Sequence, residues 1–332
     1  MPVPTLSVVM SVWNDEAFVG AAIDSILSQT FTDFEFLIID DQSQDGSAGV
    51  IAQRAATDPR IRILPTGAKG RVPALNRLFA EARAPWVALM DSDDICMADR
   101  FARELDFLAS HPDHGAISCN CAIIDAAGKP LVRPIIDRPL THDRIIANLE
   151  DGPLLNHNAV IVSRAAVAQI GGYRAAFRHA EDYDLWLRLS EVTKLANLPE
   201  NLVNYRVYPG QVSTAHVVEQ TRNAAIAWLA HEARLKGQAD PTAGVPALPE
   251  LEKLDDLFGP GTAQYIRRRI VDRILFSADA LTGDGWQDLI GHIADRGAAP
   301  HLWRAAARLL RAGKPLYAAR TALALVQAKR AV

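Results

Sequence analysis

Residues 6–47 read LSVVMSVWNDEAFVGAAIDSILSQTFTDFEFLIIDDQSQDGS, and this stretch decides the fold. Its two nearly continuous apolar runs, LSVVMSV and FEFLIID, predict strands that are buried on both faces. Between the two runs, apolar residues recur at helical spacing, at Val19, Ala22, Ile23, Ile26 and Leu27. We expect Asn14 or Asp15 to cap this helix. A strand, a helix and a second strand in this order predict a βαβ unit with parallel strands.

The same alternation continues to about residue 110. The predicted elements are a helix in DGSAGVIAQRAA, a strand in RIRIL, a helix in VPALNRLFAEA, a strand in WVALM and a helix in ADRFARELDFLA. From about 115 to 215 short strands, including NLVNYRVY, mix with helices, and after Val217 the pattern is helical. We therefore predict an α/β catalytic domain over residues 1–216, with a Rossmann-like, mostly parallel central sheet flanked by helices. A C-terminal helical appendage is predicted over residues 217–332.

Acidic clusters follow two of the predicted strands and begin one predicted helix. In parallel sheets ligands bind beyond the carboxyl ends of the strands, where IIDDQSQDGS (38–47) and LMDSDDI (89–95) are expected to lie. Carboxylates at Asp91 and Asp93, two residues apart on a tight turn, suit a hard divalent ion such as Mg²⁺ or Mn²⁺. The alternative is a solvated, acidic helix N-terminus, where negative charge is favourable without any ligand.

The other two acidic clusters also leave two interpretations open. Carboxylates at the end of FEFLIID could accept an N–H from a nucleobase or a ribose hydroxyl, or they could simply cap a turn before Gly46. In HAEDYDLWLRL (179–189), the acids Glu181, Asp182 and Asp184 precede an apolar helix face. They could cap that helix, or one of them could act as a general base.

Composition sets further limits. The net charge of −4 argues against general nucleic-acid binding, and no apolar run approaches the ~20 residues of a membrane span. The first residues lack the basic segment of a signal peptide, and Cys96, Cys119 and Cys121 fit neither a metal spacing nor a disulfide framework. We expect a cytoplasmic protein. No G-x-G-x-x-G follows the first strand, which disfavours a dinucleotide-binding fold.

The ordered set of motifs closely resembles family 2 glycosyltransferases of the GT-A fold, over roughly residues 5 to 215. After residues 6–47 come GRVPALNRLFAEARAPWVALMDSDD (70–94), GGYR (171–174), AEDYDLWLRL (180–189) and LVNYRVYPGQVS (202–213). The resemblance implies a nucleotide-sugar donor, a Mn²⁺ or Mg²⁺ cofactor and inversion at the anomeric carbon. The Q-x-x-R-W motif of processive synthases is absent, so we expect one sugar to be added at a time.

The resemblance also implies roles for individual residues. Ser11 and Asp41, with Asp40 beside them, match the residues that hold the base, and Arg71 and Asn76 match a segment near the donor. Asp91 and Asp93 match the metal-binding D-x-D, with Asp93 expected to ligate the ion directly and Asp91 to lie nearer the ribose. Asp182 matches the catalytic base, and Glu181 is expected to position it or the donor.

The expected function is transfer of a sugar from a UDP- or dTDP-sugar to a glycan or lipid-linked acceptor, in surface polysaccharide or glycan biosynthesis. A catalytically inactive sugar-nucleotide-binding protein is one alternative. A sugar nucleotidyltransferase is another, but it would need a loop rich in Gly, Arg and Lys after the first strand, where this chain has SVWNDEAF.

The end of the chain is basic. Residues 300–332 contain seven Lys and Arg and no Asp or Glu. Arg304, Arg308 and Arg311 recur at helical spacing beside apolar residues, which is typical of a helix lying on an anionic bilayer. We expect this segment either to contact the inner face of the membrane or to pack on the acidic catalytic domain.

Overall fold

The computed structural model describes residues 2–132, 138–208 and 216–330, with side chains as far as residue 328. The chain divides into two compact units. The first contains Met1–Ala175 and Glu181–Pro209, and the second contains Ala176–Ala180 and Gly210–Val332. The domain boundary predicted at residue 216 stays a prediction. The last part of the LVNYRVYPGQVS motif, from Pro209 on, lies outside the described residues.

The first unit contains an eight-stranded sheet. Its strands are β1 (Leu6–Val12), β2 (Phe34–Asp40), β3 (Ile61–Ile63), β4 (Trp86–Leu89), β5 (Ile95–Cys96), β6 (His114–Ile124), β7 (Val160–Ser163) and β8 (Lys194–Arg206). The strand order is β3-β2-β1-β4-β7-β6-β8-β5. The pairs β1–β2, β1–β4, β2–β3 and β6–β8 are parallel, whereas β7 and β5 run antiparallel to their neighbours. The predicted mostly parallel sheet is confirmed.

Helices flank this sheet and make up the second unit. Those of the first unit are α1 (Val19–Leu27), α2 (Ser47–Ala55), α3 (Arg71–Glu81), α4 (Arg100–Ser110), α5 (His142–Ile146), α6 (Arg164–Gln169) and α7 (Glu181–Ser190). Those of the second unit are α8 (Val217–Leu235), α9 (Leu254–Phe258), α10 (Thr262–Ile274), α11 (Gly283–Arg296), α12 (Trp303–Arg311) and α13 (Pro315–Arg330). Within the described parts of the chain, no helix is long and apolar enough to cross a membrane.

Two local predictions were wrong. Helix α1 begins at Val19, and neither Asn14 nor Asp15 caps it with its side chain. Instead, Asn14 Oδ1 accepts a hydrogen bond from the Gln44 backbone N–H (2.7 Å), and the Asp15 N–H donates to Ser47 Oγ (2.9 Å). These bonds tie the loop after β1 to the loop after β2, which is a use of polar side chains that helix-capping rules do not anticipate. Strand β8 is also longer than NLVNYRVY, because it pairs along almost all of β6.

A buried ion pair supports the end of β4. Arg100 is fully buried, and its guanidinium donates to the carbonyl oxygens of Leu89, Asn158 and Val160 at 3.1–3.2 Å. Glu104, one helical turn later, balances its charge at 3.0 Å. Breaking one member of such a pair leaves an uncompensated buried charge. Arg100 therefore fixes the ends of β4 and β7 beside the acidic turn that follows β4.

Candidate functional site

The acidic segment after β4 forms a tight turn that leads into β5. One carboxylate oxygen from each of Asp91, Asp93 and Asp94 lies within 4.8 Å of the others. The alternative of an acidic helix N-terminus is wrong here, because β5 follows the turn and α4 begins only at Arg100. Three carboxylates so close together suit a bound cation, since like charges otherwise repel each other.

The carboxylates of Asp91 and Asp94 already have hydrogen-bond or ion-pair partners. Asp91 lies 2.7 Å from Arg71 Nη2. Burial alone would raise the pKa of Asp91, but Arg71 and His157 together outweigh it and hold that pKa well below the usual range. Asp94 is fully buried and accepts hydrogen bonds from the Asn158 amide and the Arg206 backbone N–H. Burial and then the charge of Asp93 raise the pKa of Asp94 well above its ordinary value.

Asp93 accepts a hydrogen bond from one side chain. The Tyr208 hydroxyl donates to Asp93 Oδ2 at 3.0 Å. Burial, followed by the charges of Asp91 and Asp15, raises the pKa of Asp93 to about 6. Burial and the negative neighbours outweigh the single neutral donor, so a cation beside Asp93 would stabilise its ionised form.

Arg71 links the acidic turn to α7. Its guanidinium lies between Asp91 and Glu181, with Nε 3.4 Å from Glu181 Oε1. Arg71 also donates to His157 Nδ1 at 3.1 Å, and His157 Nε2 lies 3.0 Å from the Tyr173 hydroxyl. The fold therefore brings Arg71, Asp91 and Glu181, which are distant in sequence, into one network of contacts.

Asp182 lies beside this network, in the first turn of α7. Its Oδ1 accepts the Tyr183 backbone N–H at 2.7 Å. The helix dipole would favour the ionised carboxylate. Burial and the adjacent Glu181 carboxylate nevertheless raise the pKa of Asp182, against smaller opposing effects of His157 and Arg71. A carboxyl group with a raised pKa suits general-base chemistry near neutral pH.

The residues predicted to hold the base lie at the carboxyl ends of β1 and β2. Asp41 is only 6% exposed, and both of its oxygens accept the Gly70 N–H, at 2.9 and 3.1 Å. Ser11 is half-buried near the end of β1, and Asp40 accepts the Ser43 hydroxyl. Asp40 also lines a hollow of about 260 Å³. That volume lies below the range of pockets that take whole drug-sized ligands.

Asn76 has a positioning role in the structure. Its amide donates to the Tyr173 carbonyl and accepts the Tyr173 N–H, both at 2.9 Å. The preceding Gly172 has φ of 73°, and a Cβ there would lie 2.7 Å from Asn76 Oδ1. Asn76 thus holds the turn that places the Tyr173 ring against His157. Its predicted place near the donor stays a prediction.

Four further residues at the site were missed by the sequence analysis. Trp13 is 53% exposed directly after β1, and a tryptophan at the end of a predicted strand was a sequence signal that could have been used. Asp15 accepts a hydrogen bond from Ser92 within the acidic turn. His157 and Tyr208 carried no local signal, because their positions depend on the order of strands in the sheet.

The chain is similar in sequence to known glycosyltransferases. Residues 7–180 match the profile of Glycosyl transferase family 2. The chain is 30% identical over 213 residues to the O-antigen biosynthesis glycosyltransferase WbnJ of Escherichia coli, covering 61% of this chain and 80% of WbnJ. It is 26% identical over 223 residues to the UDP-Glc:alpha-D-GlcNAc-diphosphoundecaprenol beta-1,3-glucosyltransferase WfgD of Escherichia coli, covering 65% of this chain and 83% of WfgD.

A solved structure shares the fold. The mannosyltransferase PcManGT from Pyrobaculum calidifontis, in complex with GDP-Man and Mn²⁺, superposes with a TM-score of 0.54 at 18% identity. The match covers 98% of this chain and 88% of that protein. At this identity the likeness shows the fold, and the predicted GT-A fold is confirmed.

Proposed function

Because the chain belongs to glycosyl transferase family 2, we propose that it transfers one sugar from a nucleotide-sugar donor to an acceptor hydroxyl with inversion at the anomeric carbon. The observation that carries this proposal is the position of Arg71 between Asp91 and Glu181. It joins the turn that would hold the donor's diphosphate to the helix that carries Asp182. A leaving-group site and a base are thus combined in one network.

The acidic turn fits Mn²⁺ or Mg²⁺, because hard divalent ions prefer carboxylate oxygens. We assign direct ligation to Asp93, whose pKa is raised by burial and then by its negative neighbours. Asp91, already paired with Arg71, would lie nearer the ribose and could contribute a second oxygen. Such an ion, when bound, neutralises negative charge on a departing diphosphate.

Asp182 would accept the proton of the attacking acceptor hydroxyl at a carboxylate oxygen. Glu181 would hold the α7 N-terminus against Arg71 and so orient Asp182. The raised pKa of Asp182 supports this division of roles, because a base that titrates closer to the working pH takes up a proton more readily.

The nucleotide should be bound in the order UDP or dTDP, then GDP, then CDP. Uracil and thymine offer an N3–H donor to the Asp41 carboxylate, whereas N3 of cytosine is an acceptor. Asp41 is almost fully buried, so an unpaired contact there would cost about 1–3 kcal/mol. Isothermal calorimetry with the four diphosphates measures the order, and tighter binding of CDP than of UDP would contradict the role of Asp41.

Tyr208→Phe should weaken Mn²⁺ binding near pH 6 by about three-fold. Loss of one hydrogen bond worth ~1 kcal/mol lowers the ionised fraction of Asp93 by about that factor at a pH close to its pKa. The Tyr208 hydroxyl lowers the pKa of Asp93, so its removal raises that pKa further and lets protons compete with the metal. At pH 8 Asp93 is ionised in both proteins, and the difference should shrink. Mn²⁺ titrations at both pH values check this; an equal loss of affinity at the two would show that proton competition is not the cause.

The acceptor is proposed to be a glycan or a lipid-linked glycan in surface polysaccharide biosynthesis. The names of WbnJ and WfgD point to O-antigen assembly and to a diphosphoundecaprenol acceptor for those proteins. We place the present reaction in the cytoplasm, where nucleotide sugars are the donors, and expect no nucleic-acid partner.

Donor hydrolysis tests the proposal without knowledge of the acceptor. A thermal-shift screen of nucleotide sugars, with and without Mn²⁺, first selects the donor. The purified protein should then release nucleoside diphosphate slowly from that donor, and chelation of Mn²⁺ should stop the release. Binding without any turnover would favour the alternative of an inactive sugar-nucleotide-binding protein. Formation of a nucleoside triphosphate and a sugar 1-phosphate when pyrophosphate is added would indicate nucleotidyl transfer.

A further inference from the structure

The last two helices of the second unit expose an apolar and basic face. We define this basic apolar face by three leucines and three cations: Leu310, Leu316, Leu323, Arg311, Lys314 and Arg320. The leucines are 61%, 75% and 57% exposed, respectively. Single exposed leucines are common on folded proteins, whereas three within fourteen residues, interspersed with cations, call for an explanation.

Helix α13 has two distinct sides. Ala318, Thr321 and Leu325 recur at helical spacing and are buried. Leu316, Arg320 and Leu323 recur at the same spacing on the opposite side and are exposed. One side of the helix is therefore buried within its unit. The leucines on the other side are not part of the core.

Charge decides which partner fits this face. Residues 300–332 carry seven Lys and Arg and no Asp or Glu. In a two-fold contact between copies, this face would meet the same face of the other copy. Cations would then lie near cations across the interface, and like charges would oppose association. An anionic bilayer supplies negative headgroups for the cations and an acyl boundary for the leucines.

We infer that the basic apolar face of α12 and α13 is a docking surface for anionic phospholipid, which holds the enzyme against a bilayer. The leucines would enter the headgroup boundary, and Arg311, Lys314 and Arg320 would contact phosphates. This surface lies apart in sequence from every residue assigned to sugar transfer. A negative result for lipid binding would therefore leave the proposed activity intact, and a negative result for activity would leave the docking surface intact.

Vesicle flotation of the full chain tests this inference. The protein should float with vesicles of phosphatidylcholine mixed with phosphatidylglycerol, and weakly or not at all with phosphatidylcholine alone. Binding should fall at salt concentrations that shorten the Debye length to ~3 Å. Sedimentation of the wild-type protein away from both kinds of vesicle would overturn the inference.

Paired variants identify the surface. Leu316→Ser with Leu323→Ser should lower the partition coefficient at least ten-fold, and so should Arg311→Gln combined with Lys314→Gln and Arg320→Gln. Leu235→Ser is the matched control, because Leu235 is 64% exposed at the end of α8 and lies outside the face. All these side chains are exposed, so the variants should fold, which circular dichroism checks.

Two results would overturn the assignment. One is undiminished flotation of both the leucine and the cation variants. The other is a wild-type dimer that dissociates in the Leu316→Ser, Leu323→Ser variant, which would make the face a contact between copies. Diphosphate release by the variants in detergent-free solution should equal that of the wild type. Loss of that activity would concern the proposed function, whereas loss of flotation alone concerns the docking surface.

Discussion

Asp182→Asn should lower the rate of sugar transfer by about 10²–10⁴, which is the typical effect of losing a general base. Asparagine keeps the size and shape of the side chain but cannot accept the proton of the acceptor hydroxyl. The affinities for donor and Mn²⁺ should stay within a few-fold, because Asp182 belongs to α7 rather than to the acidic turn. Initial transfer rates and calorimetric donor binding, measured on the same preparations, check both expectations.

Glu181→Gln is the matched control for Asp182→Asn. It removes an adjacent carboxylate that contacts Arg71, and we expect a smaller loss of rate. The pH profile separates the two roles. Activity should fall as the pH drops through the pKa of Asp182, which is raised above 3.8, and this acid limb should disappear in Asp182→Asn. Nearly full transfer by Asp182→Asn would show that the base is another group.

Asp93→Ala should abolish metal-dependent turnover. The variant loses the carboxylate to which we assign direct ligation of the cation, and whose ionised form burial and neighbouring charges destabilise. Because the folded protein raises the pKa of Asp93, its ionised form opposes folding at neutral pH. The thermal midpoint without metal should therefore be unchanged or higher in the variant. Loss of activity and retention of stability together would identify a functional rather than a structural carboxylate.

Two controls accompany Asp93→Ala. Asp91→Ala should raise the donor KM and lower turnover, since it also leaves Arg71 without its closest partner. Asp106→Ala removes an exposed carboxylate on α4 and should leave both activity and metal dependence unchanged. Near-normal Mn²⁺-dependent activity of Asp93→Ala would show that the ligand assignment is incorrect.

Much of the fold could be predicted because buried parallel strands have a strong local pattern. LSVVMSV and FEFLIID are both buried nearly throughout, and they pair in register from Leu6 with Phe34 to Val12 with Asp40. The cap of α1 could not be predicted, because the Asn14 side chain and the Asp15 backbone bond to the neighbouring loop instead. These bonds depend on the distance between the two loops. A rule based on neighbouring residues in the sequence does not include that distance.

Part of the site could also be predicted from local sequence patterns. Its acidic residues stand at strand ends or at a helix start, which are positions that a pattern can reveal. Tyr208 could not be found in this way, because it reaches Asp93 only through the pairing of β8 with β5. The direction of the Asp182 pKa was also hidden, since burial and Glu181 outweigh the helix dipole only in the folded protein.

The central claim is that this chain displaces a nucleoside diphosphate from the anomeric carbon with inversion, and real-time proton NMR of donor hydrolysis tests it most directly. The enzyme, Mn²⁺ and the α-linked nucleotide sugar chosen by the thermal-shift screen are followed before mutarotation equilibrates the free sugar. The coupling of the anomeric proton distinguishes the two anomers. We predict that the β-anomer appears first, and that its release requires Mn²⁺ and Asp93. First appearance of the α-anomer would contradict the account.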